Sequence, residues 1–218
     1  MAKAITWVLC THSVEGRQHV PDTGPYILAA NHLGMLDAPL VYGEVGGDHI
    51  AGWVAEKWEH HPVLGPVMRA ANGIFIQRGE VDRGALEAAV AWLKAGGVFG
   101  MAPEGTRSQD HRLSRGKAGI VYIAHQAEVP ILPVACINTE DALPALLSLQ
   151  RKHAILRFGE PFRLPPLDPS RRPESTREQA DEVMCRIAAL LPGRYRGVYA
   201  SHPRLSQLLS LDPQGEAD

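Results

Sequence analysis

Several common signatures are missing from this chain, and each absence narrows what it can be. No apolar run in its 218 residues approaches the roughly 18–20 residues that a membrane-spanning helix needs. The stretch from Ala4 to Cys10 is too short for a span and lacks a signal-peptide cleavage pattern. Membrane contact is therefore expected to be peripheral. Cysteine is scarce: Cys10, Cys136 and Cys185 are far apart, odd in number and without CxxC spacing. That fits a reducing cytosol and argues against a disulfide framework or a zinc knuckle. An excess of positive charge is missing too, since 22 Lys and Arg face 24 Asp and Glu for a net charge of -2. A general nucleic-acid binder should be strongly basic. No GxSxG elbow, no GxGxxG fingerprint and no HExxH pair occurs. Gly116-Lys117 resembles the end of a P-loop, but position 111 is not glycine and position 118 is neither serine nor threonine.

What remains is a chain that is 45% hydrophobic, enough for one globular domain with a core. Residues 1–25 read as a lead-in, 26–193 as the domain and 194–218 as a polar, proline-punctuated tail. Short apolar runs alternate with helical periodicity. Tyr26–Ala30, His49–Ala55, Gly73–Arg78, Val98–Ala102, Val129–Ile137 and Ala154–Phe158 read as strands. Asp82 opens an amphipathic helix, with Leu86, Ala89, Val90 and Leu93 on one face and Gly96-Gly97 at its end. Lys117–Ala127 forms another. Ser175 with Glu178 spells a capping box that starts a third. Strands alternating with helices predict an α/β fold, a largely parallel central sheet flanked by helices. Such sheets gather their sites at the carboxyl ends of strands.

The chemistry-bearing stretches all follow strands. His32 leaves the first, and Asp37 follows after four intervening residues in a loop made compact by Asn31 and Gly34. A histidine titrates near neutrality, and a carboxylate accepting one ring N–H fixes the tautomer of the other nitrogen as a base. Asn31 can hold loop backbone groups, and Asp37 can also cap the helix it precedes. Arg78 ends a later strand. Pro103-Glu104-Gly105-Thr106-Arg107 combines a glycine that lets backbone approach a ligand with an arginine fork suited to phosphate. Its glutamate can orient that arginine or a substrate hydroxyl. Ten histidines raise the question of metal, but none lies at ligand spacing to His32, and no metal site is expected.

Four blocks in one order carry a resemblance: Asn31-His32-x4-Asp37, Gly73-Ile74-Phe75-Ile76-x-Arg78, Pro103–Arg107, and Val129-Pro130-Ile131-Leu132-Pro133-Val134. Over about residues 12–160 the chain resembles the glycerolipid acyltransferases, best known as 1-acylglycerol-3-phosphate acyltransferases. The resemblance implies a glycerol-3-phosphate acyltransferase-like fold. It implies transfer of a fatty acyl chain from acyl-CoA or acyl-carrier protein to the free hydroxyl of a lysophospholipid, in the first place 1-acylglycerol-3-phosphate, giving phosphatidic acid. It makes His32 the general base and Asp37 its partner. Asn31, Arg78, Glu104, Gly105, Thr106 and Arg107 become substrate-binding residues. No cofactor is implied beyond the co-substrate, and the location implied is the cytoplasmic face of the membrane. Trp7, Trp53, Trp58 and residues 142–147 are candidate lipid contacts.

The chain departs from the family at Gly34, where serine is frequent, and at Ala102, where phenylalanine is frequent. Two other readings stand beside the resemblance. A His/Asp-dependent or metal-assisted hydrolase of a phospho-ester is disfavoured by the missing nucleophile and metal spacing. A non-catalytic lipid-binding protein is disfavoured by the intact His32/Asp37 pair.

Overall fold

Side chains alternate faces along a strand, and here both faces are apolar. Tyr26 and Leu28 point to one side of their strand, Ile27 and Ala29 to the other, and all four are buried. A strand of that composition must be covered on both sides, which is the requirement of a parallel sheet. The computed structural model describes residues 11–46, 49–77, 82–140 and 153–211. Seven strands form one sheet: β1 (Thr11–Glu15), β2 (Tyr26–Ala30), β3 (Ile50–Ala55), β4 (Gly73–Ile76), β5 (Val98–Met101), β6 (Ile131–Ile137) and β7 (His153–Phe158). Their order is β1-β7-β6-β2-β5-β3-β4. Every pairing is parallel except β6 with β7. The expected α/β fold with its largely parallel sheet is what the chain adopts.

The described α-helices are α1 (Asp37–Val45), α2 (Leu64–Ala70), α3 (Arg83–Lys94), α4 (Gly119–Ala127), α5 (Arg172–Leu190) and α6 (Pro203–Leu211). Helices α3, α4 and α5 pack on the face that carries Ile27, Phe99, Ile131 and Ala135. The opposite face carries Tyr26, Leu28, Ile50, Val98, Leu132 and Val134, and α1 covers it with Leu40 and Val41. One short helix on that side leaves room for a cavity beneath it.

Several local expectations need correction. Ser175 does not cap a helix. The helix begins earlier, at Arg172 with Pro173 in its first turn, and the Ser175 hydroxyl instead accepts from the Asp168 amide at 3.2 Å. Proline fixes a helical φ at no hydrogen-bond cost there, so it starts the helix before the serine is reached. The short strand expected in the lead-in from Val14 onward lies earlier, at Thr11–Glu15, where β1 pairs with β7 as an edge of the sheet. The stretch read as a tail also joins the domain. Tyr195, Tyr199 and Leu205 are buried, and α6 packs on α5. Asp82 does cap α3, accepting from the Ala85 amide at 2.9 Å.

Candidate active site

β2 and β5 are sheet neighbours running in the same direction. The loops that follow them therefore meet at one end of the sheet, although about seventy residues separate them in sequence. His32 stands in the first loop and residues 103–107 form the second. Two hydrogen bonds join them. The Ser108 amide donates to the His32 carbonyl at 2.9 Å, and the His32 amide donates to Glu104 Oε1 at 3.3 Å.

The His32 ring meets Asp37 through Nδ1 and Oδ2 at 2.8 Å. A carboxylate offers only acceptor oxygens, so Nδ1 carries the proton and the Nε2 lone pair is the basic one. The same Oδ2 also accepts the Leu33 and Gly34 amides at 2.7 and 2.8 Å. Three donors on one oxygen fix the carboxylate in place. This corrects the capping expectation: α1 starts at Asp37 itself, and no side chain caps its amino end. The carboxylate turns back into the loop and so serves the imidazole. The His32 side chain is 23% exposed and that of Asp37 only 5%, so the base is reachable and its partner is shielded.

Asn31 and Glu104 are also buried, and both serve the protein more than a ligand. Asn31 donates to the Cys136 carbonyl at 2.9 Å and accepts the Cys136 amide at 2.7 Å, tying the end of β2 to β6. Glu104 Oε2 accepts both the amide and the hydroxyl of Ser114, at 2.9 and 3.0 Å. With Oε1 on the His32 amide, both carboxylate oxygens are engaged, and neither bonds Arg107. Both were expected to bind substrate; the structure shows what else they do, which is to brace these loops. The signal for that role is tertiary, since Cys136 and Ser114 reach them only through strand pairing and loop folding.

Burial outweighs the bonds from Ser114 and His32 and holds the Glu104 carboxyl above its ordinary 4.5. Between 4.5 and that higher value the folded protein binds more protons than the unfolded chain, so this group's contribution to stability declines as pH rises through the window. The urea midpoint of the wild type minus that of Glu104→Gln is expected to fall across this window and then level off. A difference that stays constant from about pH 4 to 7 would show that the buried carboxyl is not destabilised by its charge.

Gly105 adopts φ 74°, a left-handed conformation that glycine takes without strain. Thr106 and Arg107 follow it on the surface, and Arg107 has no carboxylate partner among the described residues. Arg78 lies outside the described residues. The strand leading towards it ends at Ile76, which lines the same cavity as His32. So do Asp37, Gly105 and Thr106, together with Leu28, Val41, Tyr42, Trp53 and Met101. The site is thus a polar loop cluster opening on a mainly apolar cavity between α1 and the sheet.

Tyr42 was not singled out by the sequence, yet it shapes this cavity. Its phenol lies over Gly52 and Gly100, which pair across β3 and β5. A β-carbon on Gly52 would come within 2.1 Å of the Tyr42 oxygen. The glycines make a groove in the sheet, and the ring occupies it. Trp53 is half-buried, stacks edge-on against Phe99 and donates to the Ala85 carbonyl at 3.3 Å, so it belongs to the cavity wall. Trp58 is half-buried under Lys57. Trp7 and residues 142–147 lie outside the described residues.

Neither described cysteine is suited to nucleophilic work. Both are buried, and burial raises the Cys136 thiol well above its ordinary range and the Cys185 thiol to about 12. The imidazole makes no bond except that to Asp37 among the described residues. The imidazole faces the cavity with no protein nucleophile in contact among the described residues.

Comparison with known proteins places the chain in a family. The model of the family named Acyltransferase matches residues 12–137, which is more than half of the chain. The chain belongs to this family, the glycerolipid acyltransferases. It is similar to 1-acyl-sn-glycerol-3-phosphate acyltransferase alpha of Mus musculus, with 30% identity over 131 residues, 59% of this chain and 46% of the relative. The 1-acyl-sn-glycerol-3-phosphate acyltransferase of Limnanthes douglasii is 32% identical over 140 residues, again 59% of this chain and 46% of the relative. The chain therefore spans about half the length of these relatives. Among solved structures, the 1-acyl-sn-glycerophosphate acyltransferase PlsC from Thermotoga maritima superposes with a TM-score of 0.64 at 30% identity, covering 83% of this chain and 72% of that one.

Proposed function

We propose that this acyltransferase moves a fatty acyl chain from a thioester, acyl-CoA or acyl-carrier protein, to the free hydroxyl of a lysophospholipid. The acceptor that fits best is 1-acylglycerol-3-phosphate, with phosphatidic acid as product. The observation carrying the reading is the His32–Asp37 pair: His32 lines a mainly apolar cavity and touches no protein nucleophile among the described residues. In this reading His32 Nε2 takes the proton of the acceptor hydroxyl as its oxygen attacks the thioester carbonyl. The resulting tetrahedral oxyanion collapses and breaks the C–S bond. The departing thiolate takes the proton back from the imidazolium. Asp37 steadies that transient cation. No cofactor is required, because the donor brings its own activated bond.

The relatives' printed substrates support the acceptor, and the cavity's apolar lining suits an acyl chain. Among the described residues no helix is long and apolar enough to cross a membrane. The protein would then meet its lipid peripherally, at the cytoplasmic face. Purified protein incubated with lysophosphatidic acid and radiolabelled acyl-CoA or acyl-carrier protein tests the proposal, with labelled phosphatidic acid as the expected product. Hydrolysis of the donor without transfer, or lipid binding without turnover, would replace it. Arg78 stands as a phosphate ligand here. Arg78→Ala is expected to raise the acceptor KM about tenfold or more and the donor KM little, in line with loss of a charge-assisted contact. An equal rise in both would remove that role.

A further inference from the structure

The Gly116-Lys117 pair, which fails as a P-loop, is mounted in the structure with unusual care. The Gly116 amide donates to the Tyr199 hydroxyl at 3.1 Å, and the Gly116 carbonyl accepts from Arg177 at 3.1 Å. Tyr199 and Arg177 are themselves joined through Asp181. Thus α5 and the segment after it hold the backbone just before Lys117 from both sides. The Lys117 amide then donates to the Pro103 carbonyl at 2.8 Å, fixing this residue to the loop beside His32. Its side chain lies across Gly105: a β-carbon there would fall 2.7 Å from Nζ and 2.9 Å from Cε. Gly105 has no side chain to block the space the lysine uses. The ammonium is exposed and makes no hydrogen bond or ion pair among the described residues.

An exposed cation whose backbone is held beside a cavity wall, and which has no partner among the described residues, is available to bind an anion. We infer that Lys117 binds the phosphate of the acceptor, beside the cavity-lining Gly105. This extends the proposed lysophospholipid acceptor to a further ligand in the same site. The acceptor is favoured over the donor by connectivity. On a three-carbon glycerol the phosphate and the reacting hydroxyl are near neighbours, and His32 must reach that hydroxyl. The phosphates of CoA lie beyond the long pantetheine arm, away from the thioester. A lysine acts here as a point charge and complements the planar fork of Arg107.

The test is titration of lysophosphatidic acid, below its micellar concentration, into His32→Ala protein with and without Lys117→Gln or Lys117→Arg. Lys117→Gln is expected to weaken binding about tenfold, equivalent to about 1.4 kcal/mol, and Lys117→Arg to restore most of it. 1-Monoacylglycerol, which lacks the phosphate, should bind all three proteins alike. Equal weakening for both lipids, or no weakening for either, would overturn the assignment. In the otherwise wild-type enzyme, Lys117→Gln should raise the acceptor KM and leave the donor KM within about twofold. A rise confined to the donor would also overturn it, giving the ammonium to CoA. Failure of the wild type to acylate lysophosphatidic acid would refute the proposed reaction, while the titration would still decide the phosphate contact. Unchanged melting temperatures would show that the variants fold.

Discussion

His32→Ala is expected to lower acyl transfer to lysophosphatidic acid by about 10²–10⁴-fold, the range general-base catalysis supplies, with little change in acceptor KM. The reason lies in the geometry of the pair. The Nε2 lone pair is the only basic atom the imidazole presents, because Nδ1 is committed to Asp37 at 2.8 Å. Asp37→Asn should cost a comparable factor by another route. An amide can offer its N–H to the ring, which would reverse the tautomer and leave Nε2 protonated. The same substitution risks the Leu33 and Gly34 amides, which share Oδ2 with the ring. Steady-state rates of both variants, with melting temperatures alongside, check this. A His32→Ala enzyme that keeps more than about a tenth of the wild-type rate would mean that the hydroxyl is activated elsewhere.

Gly34→Ser is expected to be nearly as harmful, although serine is frequent at that position in the family. A β-carbon at Gly34 would lie 2.3 Å from the Thr139 carbonyl oxygen, which is backbone and cannot swing aside. Either the His32 loop or the segment after β6 must move. The Gly34 amide is one of the three donors that seat Asp37, so movement of the loop passes directly to the base. A displacement near 1 Å in such a constellation costs about 10²-fold in rate, and overpacking costs about 1–3 kcal/mol of stability. The expected result is a fall in kcat of that order with a lower urea midpoint. A Gly34→Ser enzyme of full activity would show that the loop absorbs the side chain without disturbing Asp37.

The sequence made the strands and their outgoing loops readable because each strand is a short apolar run bounded by turn residues. The parallel sheet followed from alternation with helices, and the placement of His32 and the 103–107 loop at strand ends followed from the sheet. What could not be read was which strands are neighbours. Asn31 reads as a loop residue until β6 is known to lie beside β2, and Glu104 reads as a ligand until Ser114 folds back on it. Tyr42 looks like one apolar position on α1, and only the pairing of Gly52 with Gly100 gives it a seat. Lys117 was set aside because its surroundings do not spell a phosphate loop. The interactions that fix it come from Tyr199 and Arg177, more than fifty residues away. Asp37 was given the right partner and the wrong second duty, since local spacing allows both a cap and a backward turn.

The groove formed by Gly52 and Gly100 under Tyr42 separates two kinds of inheritance. The reacting end is held by backbone groups: amides on Asp37, the Cys136 peptide on Asn31, the Pro103 carbonyl on Lys117. The apolar end is made of side chains on α1 and on strands β2 to β5. In the proposed reading, a change in those side chains would alter what the cavity accepts while the backbone groups that hold His32 and Asp37 stay in place. A lineage carrying this fold could diversify its lipids one residue at a time while its base stayed in register.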